Sequence, residues 1–401
     1  MKRTVLLVLS SILIATCASQ NTNKVANAAP TAASYVADSK TIPVGVIPSA
    51  IVHDAVRIKD LELSIDYPAK DGPYPVIIFS PGYGSSNLTY VGTSSFWASH
   101  GYVVMKPKHA DAGALRPAEN EMPGERPEQR REGRRDRRQQ NADQPPQPRV
   151  CHPNPAEVWD GQTPADWQNR VADIRLILDN LGKLVEQYPE LKPRLDATKI
   201  GVGGHSYGAF TALLVGGVRT FNAAGAPATY ADPRVKAVVA MSPPGPGPSH
   251  GLTNQSWADL RLPVLFLTGT RDFGATESED LPWRKQAFEL APTGDKWFVS
   301  LNGVSAASFT GRVADVITYD TALPPSAYPG NRPVPGGAPP QYTPPPDSRR
   351  GTGISFGQQN LINAVRIMSL AFWDTYLKNA TAGREYLSKL KDRGDAEVLS
   401  K

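Results

Sequence analysis

The sequence is expected to fold as an α/β protein with a mostly parallel central sheet flanked by helices. Three observations lead there. Short, fully apolar runs alternate along the chain with segments of helical periodicity, the pattern of strands buried on both faces and crossed over by helices. Hydrophobic residues make up 40% of the 401 positions and charged residues 20%, which excludes a disordered or fibrous chain. A glycine-rich turn joins one strand to an apolar helix without a linker.

Taken in order, Val76-Ile77-Ile78-Phe79 is a buried strand bounded by Pro75 and Pro81-Gly82. Gly101 to Met105 is another. Trp167 to Leu184 has helical spacing, with Val171, Ile174, Ile177, Leu178 and Leu181 on one face. Ile200-Gly201-Val202 leads into the glycine-rich turn and the helix Ala209 to Gly216. Val235 to Met241, Val264 to Thr268 and Trp297 to Leu301 are further strands, and a helix from Leu361 to Lys378 closes the domain. Two stretches break the pattern. Residues 116–155 carry nine Arg among seven Asp or Glu, with Pro and Gln, and cannot bury enough surface to offset ordering. Residues 323–353 are Pro-rich, with Pro324-Pro325 and Pro344-Pro345-Pro346, and should be extended. Both read as insertions in a single domain spanning 29–401.

Residues 1–28 read as an export signal: Lys2 and Arg3 precede an apolar run from Val5 to Ala15, too short for the roughly 20 residues a bilayer span needs. Ala26-Asn27-Ala28 has the small-x-small pattern of an ordinary cleavage site. Ile14-Ala15-Thr16-Cys17 competes with it as a lipobox, which would put a lipid anchor on Cys17, although Thr16 is atypical. The protein is therefore expected to be secreted or periplasmic, with no transmembrane segment. Lys2, Arg3 and Lys24 lie in this acid-free stretch, so its removal lowers the formal charge from +5 to +2. Cys151 is then the lone cysteine, without a disulfide partner, and its neighbour His152 has no second ligand at metal spacing. In the 116–155 stretch, Glu128, Glu132 and Asp136 interleave with the arginines and no aromatic is at hand for base stacking, so no nucleic-acid partner is expected. No zinc-ligand cluster and no dinucleotide fingerprint occur, so neither metal nor organic cofactor is implied.

Gly204-His205-Ser206-Tyr207-Gly208 is a G-x-S-x-G pentapeptide set between a short strand and an apolar helix. A sharp strand-to-helix turn needs both glycines and leaves the Ser206 hydroxyl exposed at a helix N-terminus, whose field favours a developing oxyanion. This motif, with Ser80-Pro81-Gly82-Tyr83-Gly84-Ser85-Ser86 after a strand and Trp97 to Val104 beyond it, resembles the platelet-activating-factor acetylhydrolase, bacterial polyester hydrolase (cutinase-like) and dienelactone hydrolase branch of the α/β-hydrolases. The helix with Arg170, Asp173 and Asp179-Asn180-Leu181 is similar to that group as well, as is the late Ala371-Phe372-Trp373-Asp374 segment. The insertions lie outside the resemblance.

The resemblance implies a serine hydrolase acting on small-molecule or polymeric carboxylic esters. It makes Ser206 the nucleophile, the backbone N–H groups of Tyr207 and Tyr83 the oxyanion hole, and Asp272 in Gly269-Thr270-Arg271-Asp272 the acid, with Asp280 and Glu277 as fallbacks. It also requires a histidine after the next strand. Histidines occur at 53, 100, 109, 152, 205 and 250 and nowhere later; in Gly303-Val304-Ser305-Ala306-Ala307-Ser308-Phe309 the expected slot falls on Ala306. An alanine cannot take the proton of Ser206 or return it to a leaving group. His250, after a strand at the same sheet edge, is the candidate for a relocated base. His205 is expected to pack away from the nucleophile, His109 to be structural, and His53, His100 and His152 to be surface or structural. Two function classes follow: an exported ester hydrolase strongly impaired by Ala306, or a non-catalytic pseudo-hydrolase that binds a ligand or partner through the old pocket. A third reading, a polyanion-binding arm at 116–155, is the least favoured.

Overall fold

The computed structural model describes Tyr35 and residues 41–114, 163–247, 250–274, 278–310 and 356–401. Residues 1–28, expected to be an export signal, with Cys17, both expected insertions, Cys151, His152 and Glu277 lie outside the described residues.

The chain opens with a hairpin, β1 (Val44–Asp54) and β2 (Lys59–Pro68), followed by β3 (Tyr74–Ser80), α1 (Val91–Ser99) and β4 (Val103–Pro107). Next come α2 (Pro164–Asp179), α3 (Leu181–Gln187), β5 (Leu195–His205) and α4 (Tyr207–Gly216). A small ribbon of β6 (Thr220–Phe221) and β7 (Pro227–Ala228) leads to β8 (Val235–Met241), β9 (Val264–Gly269), α5 (Leu281–Glu289) and β10 (Lys296–Leu301). The described chain ends with α6 (Ala306–Phe309), α7 (Phe356–Leu377), α8 (Thr381–Lys389) and β11 (Ala396–Ser400).

One sheet of nine strands runs β1-β2-β4-β3-β5-β8-β9-β10-β11. The six strands from β4 to β10 are mutually parallel, and the edges are antiparallel, β2 against β4 and β11 against β10. Side-chain alternation along β3 explains why both faces are apolar: Val76 and Ile78 enter one core, Ile77 and Phe79 the other. The first core is closed by α2, α3, α4 and α5 through residues such as Trp167, Ile174, Leu184, Phe210 and Phe288. The second is closed by α1, α7 and α8 through Trp97, Met368, Phe372, Trp373 and Tyr386. This is the α/β-hydrolase architecture.

The long helix expected over 167–184 is interrupted at Asn180, which stops α2 with φ −116° and ψ 14°. Its Nδ2 turns back to donate to the Leu176 carbonyl, and its N–H bonds Ile177 three residues back, tightening the last turn. Among the described residues no helix is long and apolar enough to cross a membrane.

Candidate active site

Because the central strands are parallel, the residues following β3, β5, β8, β9 and β10 emerge at one edge, the carboxyl end where open α/β sheets bind ligands. Ser206 follows β5 directly and turns the chain into α4 at φ 54° and ψ −117°, a left-handed backbone rare for a non-glycine residue. The flanking glycines are required by contact. A Cβ on Gly204 would lie 2.1 Å from the Gly208 carbonyl oxygen, and one on Gly208 would lie 1.9 Å from that of Ser80. The elbow is thus pressed against the end of β3. The Ser206 N–H donates to Met241 at the end of β8, 2.8 Å away, which holds the turn on its other side.

Asp272 sits three residues beyond β9 and is 1% exposed. Its Oδ2 accepts from the Thr268 hydroxyl at 2.8 Å, and its Oδ1 lies 3.1 Å from Arg284 Nη2. The same guanidinium donates to the carbonyls of Asp272, Ser242 and Pro243 at 2.8, 2.9 and 3.0 Å, so α5 is tied to two of the strand ends that frame the elbow. The fallback Asp280 is otherwise employed: it caps α5, accepting from the Trp283 N–H at 3.0 Å.

Ala306 opens α6 on the loop after β10. That loop runs beside the Asp272 loop through three bonds: Thr270 N–H to the Leu301 carbonyl, Arg271 N–H to the Val304 carbonyl, and Gly303 N–H to the Thr270 hydroxyl, at 3.1, 3.0 and 2.9 Å. On its other side lies His205, whose ring centroid is 5.6 Å from that of Phe309. His205 Nδ1 is 2.7 Å from the Tyr90 hydroxyl, which itself accepts from the Gly82 N–H at 3.2 Å. Burial, reinforced by Arg284, lowers the His205 pKa to about 3, only partly opposed by the Ala306 backbone. His205 is therefore a neutral, packed ring next to Ser206.

His250 packs edge-on against Phe210, one turn into α4, with ring centroids 5.2 Å apart. Burial and then the Arg284 charge lower its pKa to about 4. His53 is exposed and 2.8 Å from Asp60, while His100 Nδ1 lies 2.7 Å from the Phe96 carbonyl. Among the described residues no group of three or more His, Cys, Asp or Glu gathers as a metal site would.

Beneath the loop after β3 lies a cluster that sequence reasoning did not assemble. Ser80 Oγ is 2.9 Å from His109 Nε2, and His109 Nδ1 is 2.8 Å from Asp173 Oδ2. The spacing resembles a Ser–His–Asp triad, yet Ser80 is fully buried at the end of β3. Burial and then Arg170 hold His109 below its ordinary pKa, opposed by the Asp173 carboxylate. Burial would raise Asp173, but hydrogen bonds from His109 and Lys59 overcome it and bring the carboxyl to about 2. Arg57 in the β1–β2 turn also donates to Asp173 at 2.7 Å. The signal was present: Arg170 and Asp173 stand three apart on the buried face of α2, where isolated charges need partners.

A family model described as platelet-activating factor acetylhydrolase, isoform II, matches residues 62–270, half of the chain. That stretch includes the loop after β3, α2 and the elbow. No curated protein matches the chain. Among solved structures, a ferulic acid esterase from Streptomyces cinnamoneus is similar at 20% identity, over 84% of this chain and 91% of that one, with a TM-score of 0.46.

Proposed function

Because the chain belongs to the platelet-activating factor acetylhydrolase isoform II family, we propose that it is an exported serine ester hydrolase whose turnover is held low by Ala306. The observation that carries this reading is the strained elbow, which places Ser206 at the start of a ten-residue helix on the sheet edge. The Ser206 hydroxyl adds to the carbonyl carbon of a small-molecule or polymeric carboxylic ester. With no base at 306, its proton passes to solvent water, and the carbonyl oxygen becomes an oxyanion facing the Tyr83 and Tyr207 N–H groups; on collapse the departing alkoxide takes a proton back from water. Collapse expels the alcohol and leaves an acyl group on Ser206; water then releases the acid. Asp272 and the Ala306 slot belong to the proton-transfer arm, and there the arm is broken: nothing at 306 accepts the Ser206 proton or passes it to the leaving alcohol.

The name of the family describes removal of an acetyl group, which makes short-chain esters the first substrates to test. Ala306→His is expected to raise hydrolysis of p-nitrophenyl acetate by several orders of magnitude. Loss of the triad histidine in subtilisin costs on the order of 10⁶ in turnover, so the gain has room to be large. A folded Ala306→His protein with no gain would overturn the assignment of the slot. The second reading, a pseudo-hydrolase that binds through the old pocket, is favoured by one observation: the buried Asp272 carboxylate is already paired with Arg284. It predicts ligand binding without fluorophosphonate labelling of Ser206 and without rescue by Ala306→His.

A further inference from the structure

The buried guanidinium of Arg170 touches both halves of the candidate oxyanion hole. Nη1 donates to the Pro81 carbonyl at 2.7 Å and Nη2 to the Gly82 carbonyl at 3.3 Å. Behind it, Nε and Nη2 donate to the two oxygens of Asp111 at 3.0 and 2.6 Å, and Asp111 Oδ2 also accepts from the Gly84 N–H at 2.9 Å. The Tyr207 ring lies 4.4 Å from the guanidinium carbon and meets the Tyr83 ring edge-on at 6.0 Å. Nη1 also comes within 3.4 Å of Ser80 Oγ, joining this clamp to the Ser80–His109–Asp173 chain.

We propose that Arg170, backed by Asp111, is a positioning residue that sets the aim of the two oxyanion-hole N–H groups. The reasoning is geometric. The Gly82 carbonyl and the Tyr83 N–H belong to one planar trans peptide and point in opposite directions, so fixing the oxygen fixes where the N–H points. The preceding peptide is held at both ends, its carbonyl by Arg170 and its N–H by the Tyr90 hydroxyl. A cation on the Gly82 oxygen also polarises that peptide and strengthens its N–H as a donor. On the opposite side the same cation lies over the ring of Tyr207, the residue whose N–H is the second donor. Lysine could supply the charge but not the planar fork that reaches two carbonyls and a carboxylate at once.

The inference rests on the ester-hydrolase reading, and its test separates the two. Arg170→Lys and Arg170→Gln are made in the Ala306→His protein and assayed with p-nitrophenyl acetate. A fall in kcat of about 10- to 100-fold with KM within about threefold is expected, below the 10²–10³ lost when an oxyanion donor is removed outright. In the protein without Ala306→His, the same variants are titrated with phenylboronic acid, whose boron bonds to Ser206 Oγ as the hydroxyl proton is released and whose oxygen then occupies the hole. Its affinity is expected to fall in proportion to kcat, whereas inhibition by a neutral product alcohol stays unchanged. A general loosening of the fold would weaken both ligands together. Folded variants that keep kcat and boronate affinity within twofold would overturn the inference. If the Arg170 variants do not fold, Asp111→Asn carries the same criterion. If Ser206→Ala leaves hydrolysis intact, the ester-hydrolase reading fails and this inference falls with it; if Ser206→Ala abolishes hydrolysis but the clamp variants do nothing, the inference alone fails.

Discussion

Arg284 Nη2 stands 3.1 Å from Asp272 Oδ1, and both side chains are almost wholly buried. The acid of the candidate triad is therefore neutralised by a cation that also holds three backbone carbonyls. Breaking a buried pair by removing one partner leaves an uncompensated charge and typically costs about 3–5 kcal/mol. Arg284→Gln is expected to lower the unfolding free energy by that amount in a urea titration. A loss below about 1 kcal/mol would show that the pair contributes little.

The two carboxylates near the elbow separate by experiment. Asp280→Ala removes the cap of α5 and is expected to cost about 1 kcal/mol of stability. Asp272→Asn, made in the Ala306→His protein, is expected to reduce the restored kcat by on the order of 10⁴. Equal effects of the two substitutions on kcat would reject Asp272 as the acid.

The elbow glycines differ sharply from others. Gly208→Ala drives a Cβ into the Ser80 carbonyl and is expected to cost roughly 3 kcal/mol or more, read from the melting midpoint. Gly182 lies in α3, and a Cβ there meets nothing within 4 Å. Gly182→Ala is expected to stabilise the protein by roughly 0.5–1 kcal/mol, since alanine loses less entropy in a helix.

Acid should unfold the protein through its buried imidazoles. His205 and His250 titrate near 3 and 4 in the fold, while an unfolded chain takes up these protons near 6.5. Between those values the unfolded state binds more protons. Stability is therefore full above about pH 6.5 and declines as pH falls toward 4, by on the order of a few kcal/mol. Asp173, at about 2, adds a further loss below its ordinary value near 3.8. Urea titrations at pH 7, 5.5 and 4 check the trend, and His250→Gln is expected to flatten it. An unchanged slope in that variant would assign the effect elsewhere.

The buried parallel strands were legible because each is a short apolar run ended by glycine or proline, as at Val76 to Phe79 and Val264 to Thr268. The elbow was legible because its glycines answer to contacts of about 2 Å that no other residue tolerates. The β1–β2 hairpin was not. β1 alternates buried and exposed residues at the sheet margin, β2 interleaves its apolar residues with buried Ser64 and Asp66, and the turn relies on Asp54 accepting from the Val56 and Arg57 N–H groups. The edge strand β11 was equally silent, because Ala396 to Ser400 pairs with β10 across about a hundred residues and is only half buried. The Arg170 clamp needed three segments, Pro81 to Gly84, Asp111 and α2, whose proximity only the fold supplies. Arg284 was likewise invisible, since its partner lies in a turn twelve residues earlier.

The loop that carries Ala306 is placed by main-chain bonds to Thr270 and Arg271 and by the packing of Phe309 on His205. None of these uses the side chain at 306. The backbone at the proposed base position is therefore held in place whichever side chain stands there.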